Sequence, residues 1–165
     1  MRRRTSALDA VVIRPAGEQD LAAVERFVSS VAGAVYGRLF QGEPPRPHGN
    51  WAESLLADLD GRIIGVVVAD DDWIEDLWVA EDCRGRGVGS RLLAAGERQI
   101  AGRGHEQGHL RVVAENQGAR RFYARHGWAE TESYPHEKWG FAMIDLVKRL
   151  PPAPADRDTL RLPPR

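Results

Sequence analysis

Apolar positions along this chain change their period several times, and each change marks an element. Val11-Val12-Ile13-Arg14 reads as a short strand that Pro15 stops. From Glu18 onward, Leu21, Val24, Phe27, Val28 and Val31 recur at three- and four-residue spacing, the period of an amphipathic helix. Residues 37–50 (GRLFQGEPPRPHGN) hold three prolines, three glycines and almost no periodicity. A loop of that length is expected to serve as a lid or a binding wall.

Three strand-like runs follow. Glu53 to Leu59 ends at Asp60-Gly61, a hairpin signal. Ile63 to Ala69 is β-branched and nearly all apolar, which suits a strand covered on both faces. Asp70-Asp71-Asp72 reads as a hydrated turn, and Trp73 to Val79 is the third strand. Val88, Leu92, Leu93, Ala95 and Ile100 then share one side of a helix. Gly102, Gly104 and Gly108 bracket a loop before a strand from Leu110 to Ala114. Asn116 opens a short helix carrying Ala119, Phe122 and Tyr123, and Gly127 is placed to end it as a left-handed residue. Trp139 to Leu146 reads as a closing strand, with Trp139 in the core. Residues 151–165 are proline-rich and charged, so a disordered tail is expected after a single domain over 1–150. This order of elements implies an α/β (α+β) fold, a mixed sheet with helices on its faces.

Composition narrows the partners. The formal net charge of the 165 residues is -1, so no global field draws the chain to nucleic acid or an anionic membrane. The single cysteine, Cys83, excludes an intrachain disulfide and a cysteine-based metal cluster. With no histidine close in sequence it reads as an incidental thiol. Met1-Arg2-Arg3-Arg4 resembles the start of a signal peptide, but Asp9 and Arg14 interrupt the required apolar run. No segment approaches a membrane span. A cytoplasmic protein is expected. His105, His109, His126 and His136 show no metal-ligand spacing, and no metal is assigned.

The chemistry concentrates in Arg84-Gly85-Arg86-Gly87-Val88-Gly89, between the third strand and the long helix. Consecutive amides at a helix start form an anion site, and two arginines add charge that a phosphate can use. A P-loop requires a lysine that is absent here. A dinucleotide fingerprint starting at Gly85 and Gly87 would need a third glycine where Ser90 stands. The pattern that fits is Arg84-x-x-Gly87-x-Gly89, preceded by Leu77-x-Val79 and followed by Asn116-x-x-Ala119-x-x-x-Tyr123-x-x-x-Gly127-Trp128. These two blocks resemble the GNAT superfamily of acyl-CoA-dependent N-acetyltransferases. Two positions depart from its usual pattern: Trp128 stands where Phe is common, and Glu81 where Pro is frequent. The resemblance runs from Trp73 to Leu150; the N-terminal half matches in the order of elements alone.

The resemblance implies a mostly antiparallel central sheet flanked by helices on both faces, with acetyl-CoA as cosubstrate. It implies that Gly85, Gly87, Val88 and Gly89 grip the pyrophosphate through their amides, aided by Arg84, Arg86 and Ser90. The strand carrying Leu77, Trp78 and Val79 would bulge and splay, opening a slot for pantetheine. A main-chain N–H near Val79 would then polarise the thioester. Asn116 and Ala119 complete the cofactor set, and Tyr123 would protonate the departing sulfur. Strand alternation places Trp73, Glu75, Leu77 and Val79 on one face and Asp76 and Trp78 on the other. Glu75 is the expected base, with Asp76 as the fallback, and direct attack without an acyl-enzyme is expected. The acceptor is expected to be a primary amine on a small or antibiotic-like molecule. A protein or peptide amine and a non-catalytic acyl-CoA-binding module are the alternatives, and a homodimer is compatible with the family. Residues 37–50 and 133–140, the latter including Tyr134 and Trp139, should shape the acceptor pocket.

Overall fold

The computed structural model describes residues 10–39 and 49–152. The expectations for Met1–Arg4, for residues 40–48 of the long loop and for residues 153–165 of the tail therefore lie outside the described residues.

Seven strands form one sheet: β1 (Val12–Pro15), β2 (Leu55–Leu59), β3 (Arg62–Asp70), β4 (Trp73–Val79), β5 (Gln107–Val113), β6 (Ala129–Pro135) and β7 (Ala142–Arg149). Their spatial order is β1-β2-β3-β4-β5-β7-β6. Every neighbouring pair is antiparallel except β4 and β5, which run parallel. The helices are α1 (Leu21–Leu39), α2 (Val88–Gly102) and α3 (Gln117–Arg125). The expected mixed, mostly antiparallel sheet is thus present.

Local chemistry explains most boundaries. Asp60 and Gly61 both take positive φ, 52° and 85°, as the tight β2–β3 turn requires, and the Gly61 N–H donates to Asp58 Oδ1 at 2.7 Å. Pro15 closes β1 rather than preceding a break, because β1 is an edge strand where a missing N–H costs little. Helix α1 continues through Gly37 to Leu39, past the expected start of the loop. The closing strand runs over 142–149, displaced from the expected 139–146. Strand β6 had no counterpart in the pattern. Its sequence, AETESYP, shows no apolar alternation because it is an almost fully exposed edge strand. Trp139, expected in the core, is instead 43% exposed in the β6–β7 connection.

Each face of the sheet carries its own core. On one face Leu92, Leu93 and Ile100 of α2 pack with Val67, Ile74, Leu110, Val112 and Leu146. On the other, Val24 and Val28 of α1 pack with Leu56, Val66 and Val68. Strand β3 supplies both clusters, which accounts for its unbroken apolar run. Gly96 lets α2 sit close on the sheet. A Cβ there would fall 2.7 Å from Ile74 Cδ1 and 3.1 Å from Val67 Cγ2. Helix α2 is thereby seated directly over β3 and β4, with its N-terminus at the C-terminal end of β4.

Leu92 is fully buried at this seat. Leu92→Ala should lower unfolding free energy by about 2–5 kcal/mol, the range for a truncated core leucine. Urea denaturation reads this as a lower midpoint with an unchanged slope. A loss under about 1 kcal/mol would mean that α2 is not packed as described.

Candidate active site

The site begins where β4 and β5 stop pairing. Their parallel register holds only at Trp73↔His109 and Ile74↔Leu110. Beyond Ile74, β4 stays paired with β3 through Val79, while β5 pairs with β7 through Val113. A wedge therefore opens between the two central strands. The hydrogen-bond pattern shows which groups line it. The Ala80 N–H donates to Ile64 O at 2.9 Å, so Gly65↔Val79 is a pair without mutual backbone bonds. The N–H and C=O of Val79, and by the same alternation those of Leu77, point away from β3 into the wedge. Arg84 Nε donates to the Val79 carbonyl at 3.1 Å.

A bulge sits at the mouth of this wedge. Val68 faces Asp76 and Ala69 faces Ile74, so Glu75 is the extra residue. The bulge breaks the simple alternation expected for β4. Ile74, Leu77 and Val79 share the α2 face, whereas Trp78 packs with the α1 core and holds Asp76 beside it. Trp73 falls on that second face too, tilted against His109 with ring centroids 5.5 Å apart. Glu75 is pushed out and exposed.

Below β4 the chain makes one turn of 3-10 helix (Glu81–Cys83) and enters the glycine loop. Gly85 and Gly87 take φ of 69° and 85°, where a side chain would be strained. Gly87 is the N-cap of α2, and no side chain caps that helix. Its first-turn amides are therefore left for water or a ligand. Gly89 packs beside Phe122 of α3, where an added Cβ would lie 3.4 Å from the phenyl carbons, an ordinary contact distance. Asn116 caps α3 as expected, its Oδ1 accepting the Ala119 N–H at 3.1 Å.

These pieces line one groove of about 640 Å³, within the usual range for a small-molecule site. Of the expected cofactor residues, Leu77, Trp78, Val79, Arg84, Gly85, Gly87, Gly89, Ser90, Asn116 and Ala119 line it. Arg86, Val88 and Tyr123 do not. Arg86 is exposed, while Val88 and Tyr123 are turned into the core behind the wall. Sequence reading missed Val35 of α1, Phe122 and Arg125 of α3 and His126 just past its end. Arg38 and Leu39 fall in the stretch 37–50 expected to wall the acceptor pocket. Arg125 and His126 lie inside the second motif at positions it leaves open, so the motif carried no signal for them. Val35 carried none either, because only the tertiary fold brings it here. Among the described residues the groove wall bears three arginines and no carboxylate.

Ionisable groups sort into two clusters around the wedge. Trp78 Nε1 donates to Asp76 Oδ1 at 2.8 Å, and the Tyr36 and Trp78 rings meet in a T-shape with centroids 5.7 Å apart. Burial, with Asp76 as a second cause, pushes the Tyr36 phenol up to about 12. Burial also raises Tyr123, with smaller contributions from Asp76 and Tyr36. Asp76 is thus the carboxylate whose charge reaches both phenols. Glu75 belongs to the other cluster, where its charge bears on Arg111. Arg111 lies 5.2 and 5.5 Å from the ring centroids of Trp73 and Tyr134. Its Nε and the Tyr134 hydroxyl both donate to Asp145 Oδ1, at 2.9 and 2.8 Å. The Asp70–Asp72 turn is engaged elsewhere, with Asp71 against His105 at 2.8 Å and Asp72 near His109 at 3.6 Å. Cys83 is buried, and burial raises its thiol, which agrees with an incidental residue.

Known proteins share this architecture. The model of the acetyltransferase (GNAT) family matches residues 26–128. An uncharacterized N-acetyltransferase of Methanocaldococcus jannaschii is 34% identical over 106 residues, covering 59% of this chain and 67% of its own length. The ribosomal-protein-S18-alanine N-acetyltransferase of Escherichia coli superposes with a TM-score of 0.63 at 20% identity, covering 90% of this chain and 97% of its own. A nourseothricin acetyltransferase gives 0.64 at 21% identity, covering 86% and 99%. At such identities these two structures speak for the fold alone.

All three tyrosines of the chain have raised phenols, Tyr36 and Tyr134 to about 12 and Tyr123 also upward. The native protein should therefore show almost no phenolate absorbance at about pH 10, where a free phenol is half ionised. The folded state holds these protons longer than the unfolded chain. The associated stability is complete below about pH 10 and drains away as the pH climbs through about 12. Ultraviolet titration tests this, and native ionisation of even one phenol at its ordinary value would contradict the burial described.

Proposed function

Because the chain belongs to the acetyltransferase (GNAT) family, we propose that it moves the acetyl group of acetyl-CoA directly onto a primary amine of a small molecule. One observation carries the reading. The unpaired edge of β4 and the side-chain-free start of α2 open onto the same groove, whose described lining residues include no carboxylate. The first feature suits the amides of pantetheine and the second a diphosphate. Bound there, acetyl-CoA supplies the activated acyl group.

The chain's own residues then divide the work. The α2 amides, with Arg84 and Ser90, hold the phosphates at one end of the groove. The Val79 N–H faces the wedge and stabilises negative charge developing on the thioester oxygen. An attacking ammonium must first lose a proton. Asp76 is half-buried, fixed by Trp78 and on the Tyr123 side of the wedge, and it is assigned that role, directly or through a water. Glu75, exposed on the bulge, draws the cationic acceptor toward the mouth instead. Tyr123 packs behind the groove wall, but the charge of Asp76 bears on its phenol. It stays protonated over the working range and is assigned as the donor to the departing sulfur, directly or through a water. Its raised value does not disqualify it, because the same burial makes a thiolate more basic.

The acceptor mouth is acidic and aromatic, with Glu75, Asp76, Trp73 and Trp78, which favours a compact cationic amine. Incubation with acetyl-CoA and a panel of small amines and amino-terminal peptides, read by free-thiol release, tests the activity and ranks the acceptors. Release with no panel member, despite acetyl-CoA binding, would replace the enzyme reading with an acyl-CoA-binding module. Asp76→Asn should lower kcat by about 10²-fold or more, the usual weight of a general base, with the acetyl-CoA KM little changed. Glu75→Gln should act mainly on the acceptor KM, and the opposite pattern would return the base to Glu75. Tyr123→Phe should depress kcat rather than KM, and a wild-type kcat would remove its acid role.

A further inference from the structure

We infer that His126 is a positioning residue for the phosphate end of the groove: it takes up a proton as the anionic cofactor binds, and so turns the Ser90 hydroxyl hydrogen toward the ligand. This rests on the cofactor reading above. It follows from counting hydrogens. His126 Nδ1 lies 2.7 Å from the Phe122 carbonyl oxygen, which can only accept, so Nδ1 carries an N–H. In the neutral ring Nε2 is then a bare acceptor. It lies 2.9 Å from Ser90 Oγ, which must spend its one hydrogen on it. Ser90 thereby presents only lone pairs to the groove, and lone pairs repel phosphate oxygens. If Ser90 turned its hydrogen to a phosphate while His126 stayed neutral, two lone pairs would face each other at 2.9 Å. A proton on Nε2 resolves the conflict. The imidazolium donates to Oγ, and the hydroxyl hydrogen is released for the ligand.

The surrounding charges favour uptake only when an anion is present. Arg38 from α1, Arg84 from the glycine loop and Arg125 from α3 share the groove wall with Ser90 and His126. Arg38 is tied to exposed Glu81 at 2.9 Å, outside the wall. Behind His126, Lys148 of β7 approaches Gly127 and is held at 2.8 Å by Glu97 of α2. The Phe122 ring lies 4.4 Å from the imidazole and carries no charge. Among the described residues every charge on the groove wall is therefore positive, and an entering diphosphate supplies the negative charge that favours an added proton.

Calorimetry of coenzyme A binding near neutral pH, in buffers of different ionisation enthalpy, counts the protons taken up. Titration of the coenzyme's own phosphates contributes equally to wild type and to His126→Gln, so the difference reports on His126. Glutamine donates an N–H without needing a solvent proton. Wild type should take up more protons than His126→Gln, by at most one. Its Kd should also weaken more steeply as pH rises through the range where histidine changes charge, between about 5 and 8, by no more than tenfold per pH unit. Equal proton counts, or parallel Kd profiles, would overturn the inference while leaving the cofactor reading standing. Absence of any binding heat in wild type would remove both. Should the variant fail to fold, the His126 ring resonance in wild type decides between the same outcomes: its titration midpoint must rise when coenzyme A is added, and a fixed midpoint refutes the coupling.

Discussion

Backbone amides and carbonyls removed from water need partners, and the separation of β4 from β5 suspends that requirement at one place in the fold. Two paired positions hold the strands together, and past Ile74 each turns to its other neighbour. The Leu77 and Val79 groups on the open edge meet a groove instead of a strand. The rest of the molecule keeps that wedge open without letting the sheet fall apart. The α2 face is filled by Leu92, Leu93 and Ile100, and the α1 face by Val24 and Val28, so both layers stay packed while the edge between them remains unpaired.

The wedge also explains why one strand serves two chemistries. The bulge at Glu75 shifts the side chains before it relative to those after it, sending Trp73 and Asp76 to one face and Ile74 and Leu77 to the other. One face then carries apolar packing against α2. The other gathers carboxylates and aromatic rings around the mouth. Under unbroken alternation, Glu75 would have pointed with Leu77 toward the helix, where an unpaired carboxylate is costly.

Much of this was legible in the sequence because it is local. The glycine loop needs positive φ at Gly85 and Gly87, the α3 cap needs a short polar side chain at Asn116, and Gly127 ends α3 at φ 83°. Strand β4 was placed to the residue. The errors have a common cause. Strand β6 buries too little to show a pattern, and α1 reaches the groove from a part of the chain far ahead of either motif. The face assignments on β4 failed because a bulge is set by the partner strand, which a period-2 pattern cannot encode. The exclusion of Val88 and Tyr123 from the groove wall likewise reflects which side of α2 and α3 meets the sheet.

Gly87 opens α2 with no side chain to close its first turn. Most helices carry that satisfaction within their own sequence, and this one leaves it to whatever occupies the groove. Without an occupant the first turn of α2 therefore frays more readily than the rest of that helix, by local opening rather than global unfolding. Amide hydrogens there exchange with solvent sooner than those of the Leu92–Ile100 stretch, and an occupant slows them selectively. The start of the helix thus records occupancy of the groove along the backbone, independently of any turnover.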